Sequence, residues 1–123
     1  MNKIVLSLLV LFFHVSLIAQ KSKPIPNGKV KDTNGKLVDL NTFTHNGKIS
    51  IVSFWATWCG PCKKELDAYA PFYKEWQEKY GAQLLAISID DVRGQAKIKP
   101  MVSEKKWPYT ILLDANSDLQ RQL

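Results

Sequence analysis

Trp58-Cys59-Gly60-Pro61-Cys62 holds the only two cysteines of the 123-residue chain, two residues apart. The nearly all-apolar run Ile49-Ser50-Ile51-Val52-Ser53-Phe54-Trp55 comes before it, and a helical pattern comes after. Where a strand hands over to a helix, the helix N-terminus offers free N–H groups and partial positive charge. Both stabilise a thiolate, so Cys59 is expected as the nucleophile. Gly60-Pro61 sets a tight turn, and proline suits a first helical turn because it has no N–H to lose. Cys62 falls one turn inside the helix, within reach of a mixed disulfide formed at Cys59.

Counting residues separates this reading from its competitors. A zinc site needs four ligands, and beyond the first 20 residues the chain offers Cys59, Cys62 and His45 only. Covalent haem needs histidine directly after the second cysteine, where this chain has Lys63. A structural disulfide closing so small a loop would constrain the unfolded chain little. A reversible dithiol–disulfide pair is therefore expected, with no metal and no cofactor.

Around the pair the chain reads as one domain. With 46% hydrophobic and 23% charged residues, it has a globular composition. Met1-Asn2-Lys3 followed by the mostly apolar residues 4–19 is too short for a spanning helix. It reads as a secretory signal peptide over 1–19, with an uncleaved anchor as the alternative and membrane contact only through that leader. The remaining 20–123 form the domain, expected in a periplasmic or other extracytoplasmic location. The formal charge is +6, of which the leader carries Lys3. The lysines are scattered rather than striped with aromatics, so a nucleic-acid partner is not expected.

Asn34-Gly35 between two short extended runs (28–32 and 36–40) predicts a hairpin. Residues 49–55 read as a buried central strand covered on both faces. A helix is expected over 63–79, interrupted by Pro71 and capped by Gly81. A second buried strand covers 82–89. A helix over 94–106, broken by Pro100, and a third apolar run over 109–113 follow. Asp114-Ala115-Asn116 reads as a turn before a helix capped by Ser117. Alternating strands and helices predict an α/β domain with a mainly parallel sheet.

The segment Phe54-Trp55-Ala56-Thr57-Trp58-Cys59-Gly60-Pro61-Cys62-Lys63-Lys64-Glu65-Leu66 resembles the active-site segment of thioredoxins, most of all the TlpA/ResA-like branch of exported thiol-disulfide oxidoreductases. The similarity extends through Ser88-Ile89-Asp90-Asp91, Lys97-Ile98-Lys99-Pro100, Trp107-Pro108-Tyr109 and Leu112-Leu113-Asp114, and so covers about 24–123. It implies a thioredoxin-like fold, an exposed nucleophile Cys59, a buried resolving thiol Cys62, and Trp58 shielding the disulfide and meeting partners beside Gly60 and Pro61. Cytoplasmic-type thioredoxins place a buried aspartate six residues before the first cysteine; here that position is Ser53. The ResA-like branch places a glutamate three residues after the second cysteine, and Glu65 matches it. The resemblance makes Glu65 a candidate proton acceptor for Cys62; the residues alone would leave it solvated. Phe54 and Trp55 read as core, Lys63 and Lys64 as a solvated face.

The same pattern would continue past Leu123 with a loop bearing a cis-proline, two antiparallel strands and a closing helix. Pro108 does not replace that proline. A truncated domain with an exposed edge on the 49–55 strand is therefore expected. Two functions remain open. One is a thiol-disulfide oxidoreductase acting on protein thiols and disulfides, supplied by an upstream membrane or periplasmic electron donor. The other is a non-catalytic remnant that binds a protein partner or a soft metal such as Cu(I). A peroxiredoxin-like peroxidase would need a different local cysteine pattern.

Overall fold

The computed structural model describes residues 25–123. The leader expected over 1–19 lies outside the described residues. Strands β1 (Lys29–Asp32) and β2 (Leu37–Asp39) form the antiparallel hairpin that Asn34-Gly35 predicts. Gly35 turns the chain at φ +82°, a left-handed conformation that glycine adopts without a Cβ clash. Asp32 locks the turn, its Oδ1 accepting the amides of Asn34 and Lys36 at 2.8 and 2.9 Å.

After the single-turn helix α1 (Asn41–Thr44), strand β3 (Ile49–Trp55) leads into helix α2 (Gly60–Tyr69). Helix α2 starts at Gly60 rather than at residue 63, because Cys59 itself takes the N-cap position. At Pro71 the missing N–H interrupts the ladder. The chain tightens there into a 3-10 turn (Ala70–Phe72) before helix α3 (Tyr73–Tyr80), which Gly81 ends in the left-handed conformation. Strand β4 (Ala82–Ser88), a 3-10 turn (Gln95–Lys97), helix α4 (Ile98–Lys105), strand β5 (Thr110–Leu113) and a 3-10 turn (Gln120–Gln122) complete the described chain.

Two expectations are corrected here. Pro100 does not break α4: it sits in the first turn, where its amide would have had no helical acceptor. Ser117 does not cap a helix but takes φ +54°. The capping is done by Asp114, whose Oδ1 and Oδ2 accept the amides of Asp118 and Gln120 at 3.0 Å each.

The sheet runs β2-β1-β5-β4-β3, with β3, β4 and β5 parallel and β1 antiparallel to β5. Strand β3 lies at the end of this order rather than at its centre, and the interior strand β4 is the one buried along nearly all its length. Its Leu84 and Ala86 face one core and its Leu85 and Ile87 the other. Strand β3 pairs only with β4 among the described residues, which leaves the edge expected on 49–55 without a partner strand there. The expectation that both its faces are covered is corrected, because only Trp55 at its end is buried. The core against α2, α3 and α4 includes Trp55, Leu66, Tyr73, Ile98, Trp107 and Tyr109. Trp55 and Trp107 meet edge-to-face at 5.0 Å, the geometry their ring quadrupoles favour.

Polar ties fix α2 on this core. The Tyr109 hydroxyl donates to the Leu66 carbonyl, and burial, with the Asp67 charge adding, pushes that hydroxyl up to about 12. Asp67 accepts from Trp107 Nε1 at 2.9 Å and from Lys105 Nζ at 2.7 Å. Those bonds join α2 to the end of α4 and so hold the helix that presents the cysteines.

Candidate functional site

Strand β3 ends at Trp55, and the chain then turns sharply: the Cys59 amide donates to the Ala56 carbonyl at 3.0 Å. Cys59 is the N-cap of α2, with Pro61 within its first two positions, and its sulfur accepts from the Cys62 amide at 3.3 Å. Cys59 thus stands at the strand-to-helix junction that the sequence predicts. Cys59 and Cys62 are joined in a disulfide with their Cα atoms 5.4 Å apart. Both are half-buried, so the expected contrast between one exposed and one buried cysteine is softened. Cys62 is the one packed against the helix-side core.

Trp58 is 73% exposed beside the disulfide. It forms one wall of a cavity of about 370 Å³ that Arg93, Lys97 and Met101 also line. Gly60 and Pro61 are exposed at the start of α2. Ser53 and Phe54 are half-buried on β3, and Phe54 packs against the second core. Glu65 is exposed and accepts a hydrogen bond from the Tyr69 hydroxyl one turn on. That bond holds the Tyr69 hydroxyl above its ordinary value. The structure therefore brings Trp58, Cys59, Gly60, Pro61 and Cys62 together and shows Glu65 bonded to Tyr69 rather than to Cys62.

Several residues next to the pair escaped the sequence reading. Lys63 is not merely solvated: its Nζ donates to the Thr57 carbonyl at 2.8 Å. Thr57 is buried, and its amide and hydroxyl donate to the two carboxylate oxygens of Asp90 at 2.8 and 2.6 Å. The Ser88 hydroxyl donates to the same carboxylate at 2.7 Å. In the sequence Thr57 and Asp90 lie within the segments that carry the resemblance, but nothing there joins them: Asp90 directly after an apolar strand reads as a turn residue.

The AhpC/TSA family profile matches residues 22–123, a span that includes every described residue. The chain belongs to the AhpC/TSA family. Among its relatives, thiol-disulfide oxidoreductase ResA of Bacillus thuringiensis subsp. konkukian is 30% identical over 79% of this chain and 53% of its own length. A thioredoxin of Coprinus comatus is 39% identical over 53% of this chain and 63% of its own. The solution structure of an uncharacterized thioredoxin-like protein from Porphyromonas gingivalis superposes with a TM-score of 0.67 at 40% identity, covering 79% of this chain and 63% of that one. The fold is thus thioredoxin-like, as the resemblance implied. The chain spans between about half and two thirds of the length of these relatives. The Cys59–Cys62 disulfide lies within the region that the family profile matches.

Proposed function

We propose that the chain is a thiol-disulfide oxidoreductase that exchanges electrons with protein disulfides through Cys59 and Cys62. The carrying observation is the disulfide at the N-terminus of α2, with the Cys59 sulfur accepting the Cys62 amide. In the reduced enzyme the Cys59 thiolate attacks one sulfur of a partner disulfide, forming a mixed disulfide and releasing the partner's other sulfur as a thiolate. Cys62, deprotonated, attacks Cys59 and releases the second partner sulfur. The partner gains two electrons and the enzyme is left oxidised.

Glu65 is the proposed acceptor of the Cys62 proton, one turn along α2. Gly60-Pro61 between the cysteines resembles thioredoxin and favours the reducing direction. A membrane or periplasmic donor would then return electrons. The leader read over 1–19 supports an extracytoplasmic setting. Exposed Trp58 offers the partner an apolar contact beside the nucleophile, next to a cavity that the charged Arg93 and Lys97 line.

Dithiothreitol-driven reduction of insulin tests this reading. The wild-type chain is expected to turn over and Cys59→Ser to lose turnover. Cys62→Ser is expected to accumulate a mixed disulfide visible on a non-reducing gel. Cys59→Ser with undiminished turnover overturns it.

A further inference from the structure

We infer that Asp90 is a positioning residue for the redox loop, acting through Thr57 on the reactivity of Cys59. This rests on the dithiol reading above. A carboxylate that is 1% exposed is costly to bury unless donors surround it. Asp90 has three, and two of them come from one residue of the loop: the Thr57 amide at 2.8 Å and the Thr57 hydroxyl at 2.6 Å. The third is the Ser88 hydroxyl, and Ser88 in turn accepts the Asp90 amide at 3.1 Å, which fixes the carboxylate on the end of β4. Charge-assisted bonds of this kind are about twice as strong as neutral ones.

The loop after β4 closes over the group. A Cβ at Gly94 would fall 2.7 Å from Asp90 Oδ1, so only glycine allows this approach. On its other side Thr57 is held by Lys63, whose Nζ reaches the Thr57 carbonyl from the first turn of α2. Thr57 is therefore gripped through its amide and hydroxyl by Asp90, just beyond the end of β4, and through its carbonyl by the helix. Cys59, two residues on, inherits that geometry, and with it the 3.3 Å contact from the Cys62 amide to its sulfur. The charged groups around the loop are Asp90 and Asp91 after β4, Lys63 on α2, and Arg93 and Lys97 along the cavity.

The grip and the charge of Asp90 predict opposite effects on Cys59. Loosening the loop weakens the thiolate contact and raises the pH at which Cys59 ionises. Removing a nearby negative charge lowers it. The pH profile of Cys59 alkylation by iodoacetamide in the reduced chain separates them and needs no turnover. Asp90→Ala is expected to raise the midpoint by roughly 0.5 unit, slowing alkylation below the midpoint about threefold.

Thr57→Val, which removes only the hydroxyl and no charge, is expected to raise it by less, and Asp90→Asn, which keeps an oxygen for the Thr57 amide, to lie nearest wild type. A lowered midpoint in both Asp90 variants, or an unmoved profile in Thr57→Val, overturns the inference. If the Asp90 variants do not fold, Thr57→Val decides alone. Wild-type alkylation without insulin reduction would sink the proposed function and leave this test standing.

Discussion

Glu65 and Tyr69 show how a single contact bears on catalysis. On α2 they are four positions apart, so they lie on the same helical face, and the Tyr69 hydroxyl donates to the Glu65 carboxylate. In the disulfide form that bond occupies one oxygen of the proposed proton acceptor. Resolution of a mixed disulfide needs a deprotonated Cys62, so a carboxylate one turn away would act in that step and not in the first attack by Cys59. Glu65→Gln is therefore expected to lower insulin reduction at neutral pH by at least about tenfold while leaving the rate of Cys59 alkylation unchanged. Stopped-flow measurement of mixed-disulfide decay checks it directly. An unchanged decay rate assigns Glu65 to the solvated face that its sequence position alone suggests.

At the scale of elements, helix α2 is held by Asp67, and that hold depends on pH. The bond from Lys105, with help from Trp107, draws the Asp67 carboxyl below its ordinary 3.8. A depressed folded-state value means that the stabilisation is fully present above the unfolded value and is lost as pH falls through the folded one. Asp67→Asn is expected to melt below wild type by a constant margin from pH 7 to about 5 and to converge on it as pH falls below about 4. The partners are partly exposed, so the margin is modest. Thermal melts across that range check it, and a margin that widens toward acid contradicts it.

The elements also divide by how legible they were. The hairpin at Asn34-Gly35, the helix interruption at Pro71 and the stop at Gly81 follow from local backbone rules, and all three appear where the sequence places them. Strand β3 looked central because its composition is apolar, yet composition reports what a strand buries and not which strands flank it. Cys59 and Cys62 were readable because their chemistry is written in their spacing. Asp90 and Thr57 were not: their contact spans 33 positions, and only the parallel pairing of Trp55 with Ser88 brings the two loops together.

Strand β3 also governs behaviour at the scale of the whole molecule. It pairs with β4 along one edge, and its other edge has no strand beside it among the described residues. Ile49 is 60% exposed and Ile51 37% exposed. A seven-residue strand with free N–H and C=O groups and exposed isoleucines is a template for another chain. Natural edges blunt this hazard with lysine, and β3 carries no charge anywhere along Ile49–Trp55. The net charge of +6 opposes association at low salt and does so less as salt screens it.

The chain is thus expected to self-associate increasingly between low and physiological ionic strength. Ile51→Lys should weaken that association by about tenfold, or ~1.4 kcal/mol. As a substitution at an exposed position it should shift stability by no more than about 0.5 kcal/mol. Sedimentation velocity over a concentration series, at two salt levels, measures both the association and its screening. Identical concentration dependence in the wild-type and Ile51→Lys chains would show that the β3 edge takes no part in it.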